Sequence, residues 1–202
     1  MTNSLVPDAD DVPLASLGKR ERLVAAAKRM LHEHGVEKTT LADIAAAADV
    51  PLGNVYYYFK TKDALVAAVI ETYGQAYDLM SARLDQQPTP QARLKALIQA
   101  WVGHRELLAS HGCPVGTLTS ELDKRTDSLR AQAATVLAQL VGWAQRQFEA
   151  MGRPDARELA VALVAAYEGI ALLANTLGDP DLVSAEGRRL ERWIDDLASV
   201  AA

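Results

Sequence analysis

Thr39-Thr40-Leu41-Ala42-Asp43-Ile44-Ala45 and, after four further residues, Val50-Pro51-Leu52-Gly53-Asn54-Val55-Tyr56-Tyr57-Tyr58-Phe59-Lys60-Thr61-Lys62-Asp63-Ala64-Leu65 decide the fold of this 202-residue chain. In the first run Leu41, Ile44 and Ala45 recur at helical spacing behind Thr39 and Thr40, either of which can cap a helix from about 40 to 47. Ala48-Asp49-Val50 interrupts the pattern. Pro51 then sits near a first helical position, where a missing N–H costs nothing, and a third helix carries Gly53 to Phe59. Thr61 caps a long fourth helix with Leu65, Ala68, Val69, Thr72, Tyr73, Ala76 and Met80 on one stripe. Upstream, Leu23, Ala26, Ala27, Met30 and Leu31 mark a helix that ends at Gly35. Two short helices across a tight turn, braced by a preceding one, form the arrangement that lays a recognition helix in a DNA major groove.

Val36, Leu41, Ile44, Ala45, Val50, Val55 and Phe59 can make the core of such a unit. Setting them aside leaves Thr40, Leu52, Gly53, Asn54, Tyr56, Tyr57, Lys60 and Lys62 facing outward, with Thr39 as a further candidate beside Thr40. Hydroxyls and lysines suit phosphate oxygens, a glycine admits close backbone approach, and an amide can read adenine. The starts of the second and fourth helices add N–H groups for phosphates. Three consecutive helical tyrosines span about 200°, so one must turn inward, and Tyr58 is the choice. A solvated turn at Lys60 and Lys62 is the plainer reading of those two residues. Charge is distributed accordingly: residues 1–17 carry −3, residues 18–62 carry +3, and the remainder −5, for a net −5. The one positive segment is the one that meets DNA in this reading.

The quoted runs, with their gap, resemble the DNA-binding signature of the TetR family of transcriptional regulators. That resemblance implies a homodimer on double-stranded palindromic operator DNA, repression by default and release by a small-molecule effector; no enzymatic activity and no cofactor are expected. By motif position Thr40 and Lys62 match the family's phosphate contacts, and Gly53, Tyr56 and Tyr57 its recognition-helix contacts. Pro51 and Leu52 depart from the polar residues common there, which moves base reading toward Asn54, the tyrosines and apolar contact with thymine methyls.

Beyond residue 65 the periodicity stays helical. A fifth helix presents Leu94, Leu97, Ile98, Trp101 and Leu108 and stops near His111-Gly112-Cys113-Pro114. A short sixth holds Leu118 and Leu122, and a seventh runs from Val136 through Trp143 to Met151. An eighth spans about 155–177, and the last about 185–200. With no β-type alternation, repeat or low-complexity tract, the expected fold is all-α with about nine helices. The expected domains are a flexible acidic tail (1–17), a helix-turn-helix head (18–65) and an effector-binding and dimerisation domain (66–202). No apolar run is judged long enough for a membrane span, and the acidic start, with Asp8, Asp10 and Asp11, argues against a signal peptide. The single cysteine, Cys113, fits a reducing cytoplasm.

A pocket between the later helices would draw on Tyr73, Tyr77, Trp101, His104, Cys113, Leu118, Trp143, Tyr167 and Asn175, each of which also suits an ordinary bundle core. The resemblance implies a dimer bundle of the last two helices, with Leu163, Ile170, Leu173, Trp193, Ile194 and Leu197 as the contact stripe. The Gly112-Cys113-Pro114 element followed by Leu118 and Glu121-Leu122 resembles a recurring subgroup pattern and names no ligand. Cys113, just ahead of a short helix, reads either as a small packed residue or as a thiol that senses electrophiles or oxidants. A metal site at His104, His111 and Cys113 is weakened by the break at Gly112, and no nucleophile–base set with an oxyanion motif accompanies them. A helical protein-interaction module is the remaining rival. It leaves the outward grouping of Thr40, Asn54, Tyr56, Lys60 and Lys62 without a reason.

Overall fold

The computed structural model describes residues 16–123 and 128–199. Among the described residues the regular structure is all α-helix, as expected: α1 (Lys19–His34), α2 (Leu41–Ala47), α3 (Leu52–Tyr58), α4 (Lys62–Leu84), α5 (Pro90–Gly103), α6 (Arg105–His111), α7 (Pro114–Leu122), α8 (Ser128–Ala150), α9 (Ala156–Leu177) and α10 (Asp181–Ser199). The added helix comes from the stretch read as one from Leu94 to Leu108. It divides at His104, whose φ of −104° and ψ of 16° leave the helical range while its Nδ1 lies 2.8 Å from the Ala100 carbonyl oxygen. α10 starts earlier than residue 185, at Asp181, whose N–H donates to the Asp179 carboxylate at 2.9 Å. The acidic tail lies, up to residue 15, outside the described residues, as does Val200.

By packing, the described chain falls into two compact units: residues 16–75 with 114–123 and 128–136, and residues 76–113 with 137–199. The first is therefore larger than the head anticipated at 18–65, since α7 and the start of α8 pack with it. In this unit α1 packs on α2 and α7, and α2 on α3. Leu23, Ala27, Ile44, Ala45, Val50, Val55, Phe59, Leu65 and Val69 are buried, each large aliphatic contributing about 1.5–3 kcal/mol. Leu41, at the first position of α2, is only half-buried. α1 ends at Gly35 with φ 84°, a conformation costly for any side chain. The α2–α3 turn places Asp49 at φ 51°, where aspartate is tolerated better than most residues. Its carbonyl accepts from Arg22 Nη2 at 3.1 Å.

In the second unit α10 packs on α5 and α9, and α6 on α9. Trp101 stacks on Tyr167 with centroids 4.2 Å apart, and Phe148 meets the edge of Trp193 at 5.9 Å. Lys95 of α5 and Asp195 of α10 form an ion pair at 2.9 Å, which holds the Asp195 carboxyl below its ordinary range.

α9 corrects two expectations. Its 22 residues contain an 18-residue window of mean hydropathy 1.6, so by length and composition one helix is apolar enough to cross a membrane. Its apolar residues also occupy both faces: Ala160, Leu163, Val164, Tyr167, Ala171 and Ala174 are buried in the protomer, whereas Val161, Leu172, Leu173 and Leu177 are exposed. Leu163 and Ile194, both read as dimer contacts, are sealed in the protomer's own core and cannot meet a second copy. Ile170, Trp193 and Leu197 are half-buried, and Leu173 is exposed.

Candidate nucleic-acid interface and effector region

α3 displays its outward residues because Val55 and, just past the helix, Phe59 anchor its other side. Val55 has no exposure at all, while Tyr56 and Tyr57 are 48% and 78% exposed. Tyr58 is the least exposed of the three at 36%. Its ring meets that of Tyr57 in an edge-on contact at 5.0 Å. Leu52 and Gly53 are exposed and Asn54 is half-buried. A Cβ at Gly53 would meet nothing within 4 Å, so nothing inside the protomer requires a glycine there. Lys60 is exposed, and Lys62 Nζ reaches the Glu37 carbonyl oxygen at 3.4 Å. Arg20 lies 5.4 Å over the Phe59 ring, bringing a further cation to this end of the unit.

Thr40, rather than Thr39, caps α2. Its hydroxyl oxygen accepts from the Asp43 N–H at 3.2 Å, and the Asp43 carboxylate accepts from the Thr40 N–H at 3.0 Å, a reciprocal capping box. Those bonds from Thr40 hold the Asp43 carboxyl below its usual range. Thr39 is corrected as a contact candidate: it is 1% exposed, and its hydroxyl donates inward to the Gly35 carbonyl oxygen at 2.7 Å. At the next boundary the Ala64 N–H donates to the Thr61 hydroxyl at 3.1 Å, so Thr61 caps α4 as anticipated.

The effector candidates fall into separate places. Tyr73 and Leu118 belong to the unit that holds the helix-turn-helix, where Lys28 Nζ lies 5.3 Å over the Tyr73 ring. In the other unit Trp101, Tyr167 and Cys113 come together with Glu168, which sequence reasoning passed over. Tyr167 and Glu168 both hydrogen-bond the Cys113 thiol, and Tyr77 lies near enough to bear on the Tyr167 hydroxyl. Burial pushes the Tyr167 hydroxyl well above its ordinary value and raises the Glu168 carboxyl. Glu168 Oε1 is buried with no hydrogen-bond partner. An acid on the apolar stripe of α9 was the signal available for it. Cys113 is itself buried, which denies a reagent in solution an open approach to the sulfur.

His104 and Asn175 each place a side-chain nitrogen on a backbone carbonyl oxygen, Asn175 Nδ2 donating to that of Ala109 at 3.1 Å. Trp143 donates to Asp85 at 3.0 Å. With Tyr77, Met80, Ser81 and Arg146 it lines a cleft of about 160 Å³ between α4 and α8. No group of three His, Cys, Asp or Glu residues among those described is placed to hold a metal.

Residues 23–69 match the family model of the bacterial regulatory proteins, tetR family, and residues 90–188 match the tetracyclin repressor-like C-terminal domain. The transcriptional regulator AcuR of Cereibacter sphaeroides is 34% identical over 182 residues, covering 84% of this chain and 81% of its own. The chain belongs to the TetR family. It is a DNA-binding transcriptional regulator and, as a TetR-family protein, not an enzyme. A second relative, the regulator TtgR of Pseudomonas putida, is 26% identical over 187 residues, 87% of this chain and 88% of that one. Among solved structures, the regulatory protein TetR from Rhodobacter sphaeroides aligns with a TM-score of 0.76 at 28% identity, covering 86% of this chain and 97% of that one. A TetR regulator from Legionella pneumophila shares the fold at a TM-score of 0.79 and 20% identity, over 89% of this chain and 97% of its own.

Proposed function

We propose that this TetR-family chain is a homodimeric repressor that binds a palindromic operator through α2 and α3 and releases it when a small-molecule effector binds. The observation that carries the reading is α3 itself. Its exposed side chains stand on a buried frame anchored by Val55 and Phe59, and Tyr57 is 78% exposed. Leu52, Gly53, Asn54, Tyr56 and Tyr57 then meet the major groove, while Thr40, Lys60 and Lys62 serve the phosphates.

The dimer rests on the outward face of α9. Val161, Ala165, Gly169, Leu172, Leu173 and Leu177 are exposed at helical spacing, and the small residues among them admit close approach of a second helix. A second copy, rather than a bilayer, covers this face in our reading. Two-fold symmetry then sets two recognition helices about 34 Å apart, one turn of DNA.

The effector domain, anticipated at residues 66–202, is centred on the unit of residues 76–113 with 137–199, and the protein works in the cytoplasm without a cofactor. Within that domain Tyr77, Trp101, Cys113, Tyr167 and Glu168 are the group that an effector would meet, with Trp143 beside the neighbouring cleft. Effector binding displaces α4, the helix that starts at Lys62 beside the operator surface. A coupling of about 1–3 kcal/mol lowers operator affinity roughly 5- to 150-fold. The burial of Cys113 favours the packed reading over the electrophile sensor, and the helical interaction module has no observation in its favour.

The test is an anisotropy titration of the protein against the DNA upstream of its own gene, with Tyr56→Ala and Lys62→Ala beside it. Tight binding to a palindrome, lost in both variants, supports the reading. Equal affinity for operator and random duplex, unchanged in the variants, removes it.

A further inference from the structure

We propose that Glu121 is a positioning residue for DNA binding: its carboxylate holds the α1–α2 turn in the geometry from which α2 and α3 meet the duplex. This rests on the reading of α2 and α3 as the operator surface. Glu121 lies in the last turn of α7, and its Oε2 accepts the Val36 N–H at 2.7 Å across 85 residues of sequence, in a part-buried setting. Val36 is the first residue past the glycine that ends α1, so its N–H has left the helix and needs an acceptor from elsewhere.

Gly35 is suited to this contact in two ways. Its φ of +84° is the left-handed region, and a Cβ there would stand 2.9 Å from Glu121 Oε1 and 3.2 Å from the carboxyl carbon. The carboxylate therefore occupies the space that any side chain at 35 would take. The rest of the turn is held by Thr39, whose hydroxyl donates to the Gly35 carbonyl oxygen at 2.7 Å, and by the exposed reach of Lys62 to Glu37 at 3.4 Å. Four residues separate Val36 from Leu41, where α2 begins. The direction of α2, and of α3 packed on it, follows from how this turn is set.

The same contact gives the Gly112-Cys113-Pro114 … Leu118 … Glu121-Leu122 pattern a physical purpose. Gly112, with φ 75°, ends α6, and Cys113 is held by Tyr167 and Glu168. Pro114 opens α7 at once, and Val115, Leu118 and Leu122 bury its inner face. A nine-residue helix is a rod of about 13 Å, with Pro114 at one end and Glu121 near the other.

The experiment uses the full chain and a duplex that the wild-type protein selects from a random-sequence library. Operator affinity is read by fluorescence anisotropy, and exchange of the Val36 amide by NMR. Glu121→Leu keeps bulk and removes the acceptor, and is expected to weaken duplex binding about tenfold. The titration still reaches full stoichiometry and keeps the wild-type salt slope, because the phosphate contacts are not removed. Val36 exchanges faster, while the Leu23 and Ala27 amides do not. Glu121→Gln retains an acceptor and stays within about threefold of wild type. A general loss of folding would instead lower the active fraction and speed all three amides. Wild-type affinity in Glu121→Leu, or a fall in Glu121→Gln as deep as in Glu121→Leu, overturns the proposal. Should Glu121→Leu not fold, Glu121→Asp, with its acceptor withdrawn by one methylene, is read the same way: weaker binding with fast Val36 exchange supports it and wild-type binding overturns it. If the wild-type chain selects no duplex, the operator reading falls before any variant is compared.

Discussion

Gly187 of α10 lies against the Val102 side chain of α5 with no space for a methyl group between them. Valine is stiff at χ1 and cannot swing aside, so the closest approach of these helices depends on the missing side chain. Gly187→Ala is expected to lose about 1–3 kcal/mol, despite the better helix propensity of alanine. Adding Val102→Ala should recover part of that loss. Calorimetry on the two variants decides it, and a single variant as stable as wild type would falsify the packing account.

The exposed apolar ladder of α9 sets a second expectation. Leu173→Glu combined with Leu177→Glu should leave the helical content intact and yield a monomer in sedimentation. Each leucine withdrawn from the contact removes about 1.5–3 kcal/mol, and operator affinity falls with the dimer. Leu163→Ala, inside the protomer, should instead cost about 2–5 kcal/mol of folding stability. A dimer that survives both glutamates places the interface elsewhere.

Tyr57 and Val55 stand two residues apart and should separate binding from folding. Tyr57→Ala is expected to change stability by no more than about 0.5 kcal/mol, yet to weaken operator binding about tenfold. Val55→Ala should lower the melting temperature first. If Tyr57→Ala binds its duplex like wild type, that ring is not a DNA contact.

The buried Glu168 carboxyl gives a pH dependence of definite sign. Burial raises its pKa above the ordinary 4.5, so the folded chain holds this proton more tightly than the unfolded one. Below the ordinary value both states are protonated and the group has no effect on stability. As pH rises from there through the raised value, the folded state must ionise a buried acid, and stability falls across that window. Glu168→Gln removes the ionisable group, so the variant should match wild type near pH 4 and melt higher near pH 8. Parallel melting curves at both ends would show that Glu168 is not paying a burial cost.

The helix-turn-helix was legible because several local signals agree there. Thr40 and Thr61 cap, Gly35 stops a helix, and Val55 and Phe59 fall at inward spacing. Thr39 misled because two adjacent threonines look alike in sequence. Only the turn through Gly35 at positive φ brings the Thr39 hydroxyl back over a carbonyl, and that fold-back has no periodicity. The break at His104 was hidden because Trp101 and Leu108 keep helical register across it. On α9, apolar residues line both faces, so spacing could not say that Leu163 turns inward and Leu172 outward. Glu121 stood out in sequence only as part of a recurring pattern, and its contact was hidden because the partner is a backbone N–H 85 residues away.

Tyr56, Tyr57, Leu52 and Gly53 project from a frame that holds together without them. Exchanging them is therefore expected to leave the folding energy nearly untouched. If these side chains read the operator, the choice of sites becomes a replaceable cartridge, open to retargeting in the laboratory while the buried frame beneath it stays as it is.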